Sequence, residues 1–216
     1  MNDIIETIEY KGYNINIFAS EYCESPREWD NLGEIVGYCK DYDIYDVENK
    51  FSGESGSNFG DFKLYLESED IKLKDVVYLP VYAYIHSGIT ISTGSFSCQW
   101  DSGQVGYIYA TKKQIRENFM AKNVTKKLID HTIKILESEI EMFDNYCTGS
   151  VYGFEIVKDG EVIDSLSGFY GYDNEKSGLL CEAQGIIDCD VEIEDKNYKF
   201  VPTIETPLSM GNMYIR

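Results

Sequence analysis

Apolar and polar residues alternate from Ile4 to Tyr10 and again from Tyr13 to Ala19, on either side of Lys11-Gly12. This period of two predicts an opening hairpin. Ser25-Pro26-Arg27-Glu28 has the form of a capping box with proline at the first helical position. A helix is therefore expected to start there and run through Trp29, Leu32, Ile35 and Val36, with Gly33 and Gly37 letting another element approach closely. The Gly- and Ser-rich stretch 51–62 reads as a mobile loop. Val76 to Ile85 is nearly all apolar, as in a strand covered on both faces; Ile89 to Thr93 alternates, and Val105 to Tyr109 supplies another strand. Thr111 and Gln114 form a second capping box, opening a short helix through Ile115 and Phe119.

The strongest signal is the stripe Ile129, Ile133, Leu136, Ile140, Phe143 and Cys147, whose spacings of four and three predict a long amphipathic helix over about 124–147. Val151 to Lys158 and Glu161 to Phe169 flank Asp159-Gly160, a type I′ hairpin signal. Leu179, Leu180, Ala183, Ile186, Ile187 and Val191 predict a second, C-terminal helix, and the tail from Asn197, with Pro202 and Pro207, is expected to wrap irregularly over the surface. Strands and helices mix without regular βαβ alternation. The fold class expected is α+β, with a largely antiparallel sheet, in a single domain spanning 1–216.

Composition narrows the chemistry. The six cysteines form no C-x-x-C pair and only His86 and His131 are available, so neither a structural zinc site nor any other metal or cofactor is expected. No basic segment precedes an apolar stretch at the N-terminus, which points to a cytoplasmic protein with reduced thiols. The most apolar run is about half the length of a membrane span, so no membrane partner is expected. Neither phosphate-loop pattern, G-x-x-x-x-G-K-[ST] or G-x-G-x-x-G, is present.

Charge is unevenly placed. The net −19 divides into −12 for residues 1–70, +5 for 71–136 and −12 for 137–216. The positive block rests on Lys112, Lys113, Arg116, Lys122, Lys126, Lys127 and Lys134. Some of these lysines can pair with Asp130, Glu137 or Glu141 along the helix, and direct nucleic-acid binding is not expected from so acidic a chain. Two carboxylate arrays stand out: Glu137, Glu139, Glu141 and Asp144, then Asp188, Asp190, Glu192, Glu194 and Asp195. Exposed on a rigid fold, such arrays imitate a phosphate backbone; singly, each is an ordinary solvated helix face.

Two further sets carry potential chemistry. His86, Cys98 and Asp101 could combine a thiol, a base and an orienting carboxylate, although a free cysteine more often packs as a small hydrophobe. Trp29-Asp30-Asn31 and Trp100-Asp101, with His86, could line a ligand pocket, the indoles stacking and the polar groups directing hydrogen bonds. Within a capped helix, Trp29 is expected to be a core anchor instead.

Ser25 to Gly33 (SPREWDNLG), His86 to Thr93 (HSGITIST) and Phe96 to Gly106 (FSCQWDSGQVG) resemble segments of a family of small, uncharacterised proteins encoded by bacteriophages and mobile elements. The resemblance extends from Ser25 to Gly171 and implies a phage or mobile-element origin; it assigns no activity and no residue role. Joined to the charge pattern, it leads to an acidic inhibitor that binds a host protein with a basic surface in an infected bacterial cell, of anti-restriction or anti-CRISPR type. The alternatives are a protein that sequesters or hydrolyses a nucleotide signal, and a structural or assembly protein of the mobile element.

Overall fold

The structure, a computed structural model, describes residues 3–199 except 22, 54, 55 and 99, with side chains described as far as Val191. Two sheets organise the fold, which is α+β. The first is wholly antiparallel, in the order β1 (Ile4–Tyr10), β2 (Tyr13–Ala19), β8 (Val151–Lys158), β9 (Glu161–Tyr170). Both of its turns use the left-handed region, Lys11-Gly12 at φ 50° and 82° and Asp159-Gly160 at φ 51° and 86°. These are the torsions that a two-residue I′ turn requires. Tyr13, Ile15 and Ile17 of β2 and Phe154 and Ile156 of β8 pack against Leu179, Ala183 and Ile187 of α4 (Leu179–Lys199). β9 is an edge strand, exposed over most of its length.

The second sheet runs β4 (Val47–Glu48), β3 (Glu34–Gly37), β7 (Ser102–Thr111), β5 (Val76–Ile85), β6 (Ile89–Ser92), antiparallel except for the parallel β3–β4 pair. Its central strand β7 is buried continuously from Val105 to Ala110, because helices cover both faces. On one face α3 (Lys126–Cys147) sets Leu136, Ile140 and Phe143 against Ile35, Val81 and Ile108. On the other, α1 (Phe59–Ser68) sets Phe62, Tyr65 and Leu66 against Val36, Tyr107 and Tyr109. Glu34 Oε1 accepts both the Tyr65 and Tyr109 hydroxyls, at 3.1 and 2.6 Å. The capping box at Thr111 opens α2 (Lys112–Asn118) as its sequence predicts.

Two expectations are overturned. Ser25 starts only a 3₁₀ turn, Pro26–Glu28, and the chain then becomes β3. The Ser25 hydroxyl accepts from Arg27 N–H at 3.2 Å, and the N–H groups of Leu32, Gly33 and Ile35 bond to distant carboxylates instead of to a helical ladder. Gly33 sits where a Cβ would come within 2.5 Å of Leu136, and Gly37 faces Gly106 across the β3–β7 pair, where a Cβ on either would meet backbone oxygen at 2.4 Å. The stretch 51–62 is not all loop: an Asn58–Asp61 capping box starts α1 at Phe59, and Ser57 is buried beside Asn49, whose Nδ2 donates to its hydroxyl at 3.0 Å. Of the C-terminal tail expected to be irregular from Asn197, residues 197–199 instead continue α4, and those from 200 onward lie outside the described residues.

Candidate partner-binding site

The SPREWDNLG segment folds around Arg27, whose side chain is only 9% exposed. Its guanidinium donates to both oxygens of Asp46 (Nε 3.1 Å, Nη2 2.6 Å), to Glu139 Oε2 (3.2 Å) and to the Gly33 carbonyl (2.7 Å). Glu139 in turn accepts from Leu32 N–H at 2.8 Å and Gly33 N–H at 3.1 Å. Burial pushes the Glu139 carboxyl above its ordinary range, while these donors and the Arg27 charge hold it down. Glu139 is therefore a structural acid, spent on fixing the turn, and not the outward-facing carboxylate expected from its place in the array.

The turn leaves Trp29 on the surface, 42% exposed, not in the core. Its ring meets Tyr170 edge to face, with centroids 5.3 Å apart and planes at 87°, and Nε1 donates to Glu24 at 3.4 Å. Asn31 is turned inward, its amide donating to the Pro26 and Trp29 carbonyls, and Asp30 is exposed. Trp29 and Tyr170 form part of a groove of about 620 Å³ between the last turns of α3 and the loop after β9, with Glu141, Asn145, Tyr172 and Lys176 among its walls. Lys176 reaches across to Glu141 at 2.5 Å. Sequence reasoning missed Asn145, Tyr170, Tyr172 and Lys176; the one visible signal was the Gly-flanked aromatic run Gly168 to Tyr172.

On the other flank of α3 lies a second groove, of about 430 Å³, against β6. Glu137, Glu141 and Asp144 stand at helical spacings of four and three and share it with Thr90, Ser92 and Thr93. Asp144 Oδ1 accepts from the Thr90 hydroxyl and Ile91 N–H, both at 2.7 Å, which ties the HSGITIST strand to the helix. Glu137 is exposed, and Glu141 belongs to both grooves.

The second acidic array divides differently. Asp188 pairs with Lys11 at 2.8 Å and Asp190 accepts the Tyr13 hydroxyl at 2.7 Å, so both brace α4 against the first sheet. The Lys11 ammonium and Tyr10 hydroxyl hold the Asp188 carboxyl below the usual range. The side chains of Glu192, Glu194 and Asp195 lie outside those described.

His86, Cys98 and Asp101 do meet, but in the wrong order for a thiol nucleophile. Asp101 Oδ2 stands between them, 3.6 Å from His86 Nδ1 and 3.8 Å from Cys98 Sγ. The acid, not the imidazole, adjoins the thiol, so the imidazole is not placed to take its proton. Trp100 is 95% exposed beside a smaller groove of about 370 Å³ at the ends of β5 and β7, which it lines with Asp101. The two tryptophans thus open onto different grooves and do not build a shared pocket. The expected pairing of Lys126, Lys127 and Lys134 along the helix is also absent: none is ion-paired among the described residues. No described helix is long and apolar enough to cross a membrane, and no metal-binding group of His, Cys, Asp and Glu is found among the described residues. No protein-family model, curated protein or solved structure matches the chain.

Proposed function

We propose that the chain is an acidic inhibitor from a phage or mobile element. It docks on a basic surface of the host's nucleic-acid or immune machinery, in the manner of anti-restriction or anti-CRISPR proteins, and presents carboxylates where that machinery otherwise holds phosphates. The origin rests on the three segments quoted above, and the mode of action on charge. The observation that carries it is the α3–β6 groove, where exposed Glu137 and Glu141 line a rigid helix that Asp144 ties to β6 through Thr90 and Ile91. Internal commitments remove Glu139, Asp144 and Asp190 from the docking set, whereas Glu141 and Asp188 hold only exposed ion pairs, with Lys176 and Lys11, that a cationic partner can displace.

The nucleotide-binding alternative has one observation in its favour, the aromatic groove, whose volume falls in the range of small-molecule sites. Against it stand the separated indoles and the placing of Asp101, not His86, beside Cys98. A pull-down from host lysate with tagged protein, at low and high salt, distinguishes the two. The expected result is a nucleic-acid-binding protein retained at low salt, released at high salt, and not retained by the Glu137→Gln/Glu141→Gln double variant. Recovery of a nucleotide with no protein, or retention indifferent to both salt and the double variant, overturns the proposal.

A further inference from the structure

The aromatic groove has a composition that selects among ligands. Trp29 and Tyr170 make a perpendicular aromatic corner, and Tyr172, 80% exposed, adds a third ring at the rim. Two carboxylates, Glu141 and Asp173, face one ammonium, Lys176, so the groove is net negative. Asp173 Oδ1 is held by the N–H groups of Glu175 and Lys176 at 3.1 and 3.0 Å. The Asn145 amide and Ser138 hydroxyl, also in the wall, have no side-chain hydrogen bond among the described residues and remain available to a ligand.

A phosphate-bearing ligand would meet two carboxylates and an ammonium already engaged by one of them. A purely apolar ligand would cover the amide and hydroxyl without bonding to them, which is costly. A guanidinium uses every wall: its flat face lies on an aromatic ring, and its fixed fork of N–H donors matches a carboxylate and an amide oxygen. The bridge it would displace, Lys176–Glu141, is exposed on both sides (69% and 59%) and so holds weakly. We infer that this groove receives an arginine side chain projecting from the basic partner. The inference rests on the proposed function and adds that arginine, not lysine, is the residue recognised.

Trp100→Phe leaves Trp29 as the sole indole, since the chain has two tryptophans. In that background, hexa-arginine and hexa-lysine peptides are titrated at low salt while Trp29 emission is followed and total binding is measured by calorimetry. Hexa-arginine is expected to change Trp29 emission and to half-saturate at roughly tenfold lower concentration than hexa-lysine. Tyr172→Ala, at an exposed position that leaves the core intact, is expected to weaken hexa-arginine severalfold and leave hexa-lysine unchanged. If both peptides bind equally by calorimetry with Trp29 emission unmoved, the arginine site is overturned and the acidic-surface reading stands. If neither peptide binds, both fall. If AMP changes Trp29 emission and the peptides do not, the groove is a nucleotide site and the inference is overturned.

Discussion

Three of the helices end with the chain crossing into the left-handed region, at Asp70, Met120 and Gly149, with φ of 55°, 48° and 71°. At each, the two backbone bonds of a Schellman turn close the helix; for α2 they run from Met120 N–H to the Glu117 carbonyl and from Ala121 N–H to Arg116. Glycine adopts this torsion freely, whereas methionine strains its Cβ against the backbone. Met120 gains no compensating burial, being 95% exposed. Met120→Gly is therefore expected to stabilise the protein by about 1 kcal/mol, read as a higher denaturation midpoint at unchanged slope. Arg27 is the opposite case. Removing its guanidinium strips largely buried Glu139 and the more exposed Asp46 of their shared counter-ion, so Arg27→Met is expected to cost about 3 kcal/mol in the same measurement, the low end for a buried pair.

Where an element is specified by its own residues, the sequence was legible. The α3 stripe, the Thr111 cap and the Asp159-Gly160 turn each carry their signal within one or two turns of chain, and each forms as expected. The Ser25 segment misled because its partners are remote: a local capping pattern was outweighed by Glu139, more than a hundred residues on, and by strand pairing of the β-branched Ile35 and Val36. The start of α1 was hidden by the glycines and serines before Asn58. The two grooves flanking α3 had no local signature beyond single residues, since one is built from three separate stretches of chain and the other from two. The β3–β7 contact gives an element-scale test. Gly106→Ala would drive a methyl into the Val36 carbonyl and the Gly37 Cα, and is expected to destabilise by about 1–3 kcal/mol through strand separation. Gly103→Ala in the same strand, where a Cβ meets nothing within 4 Å, is the control.

At the scale of the molecule, pH acts on stability through its buried neutral donors. Desolvation pushes Tyr65 from 10.0 to about 12 and drives Tyr109 higher; burial and then Asp144 push Cys147 from 9.0 to about 12. These groups stay protonated in the fold at pH values where the unfolded chain has released the proton. Their contribution is thus complete below pH 9 and falls away as pH rises toward 12. Denaturation midpoints are expected to drop above pH 9, and Tyr65→Phe to flatten the fall above pH 10 by up to about 1.4 kcal/mol per pH unit, despite the lost bond to Glu34.

Among the described residues, β9 offers an unpaired margin along which Val162, Ile163 and Leu166 lie open to solvent. Strands of this kind recruit copies of themselves into ribbons unless something keeps the copies apart. Here Glu161 and Asp164 are placed among the apolar positions, and the mutual repulsion of a chain carrying −19 acts at longer range. The surplus that suits the molecule to a cationic partner thereby doubles as protection against polymerisation. Glu161→Ser/Asp164→Ser in concentrated salt should bring turbidity and thioflavin-positive fibres, while the parent chain stays clear.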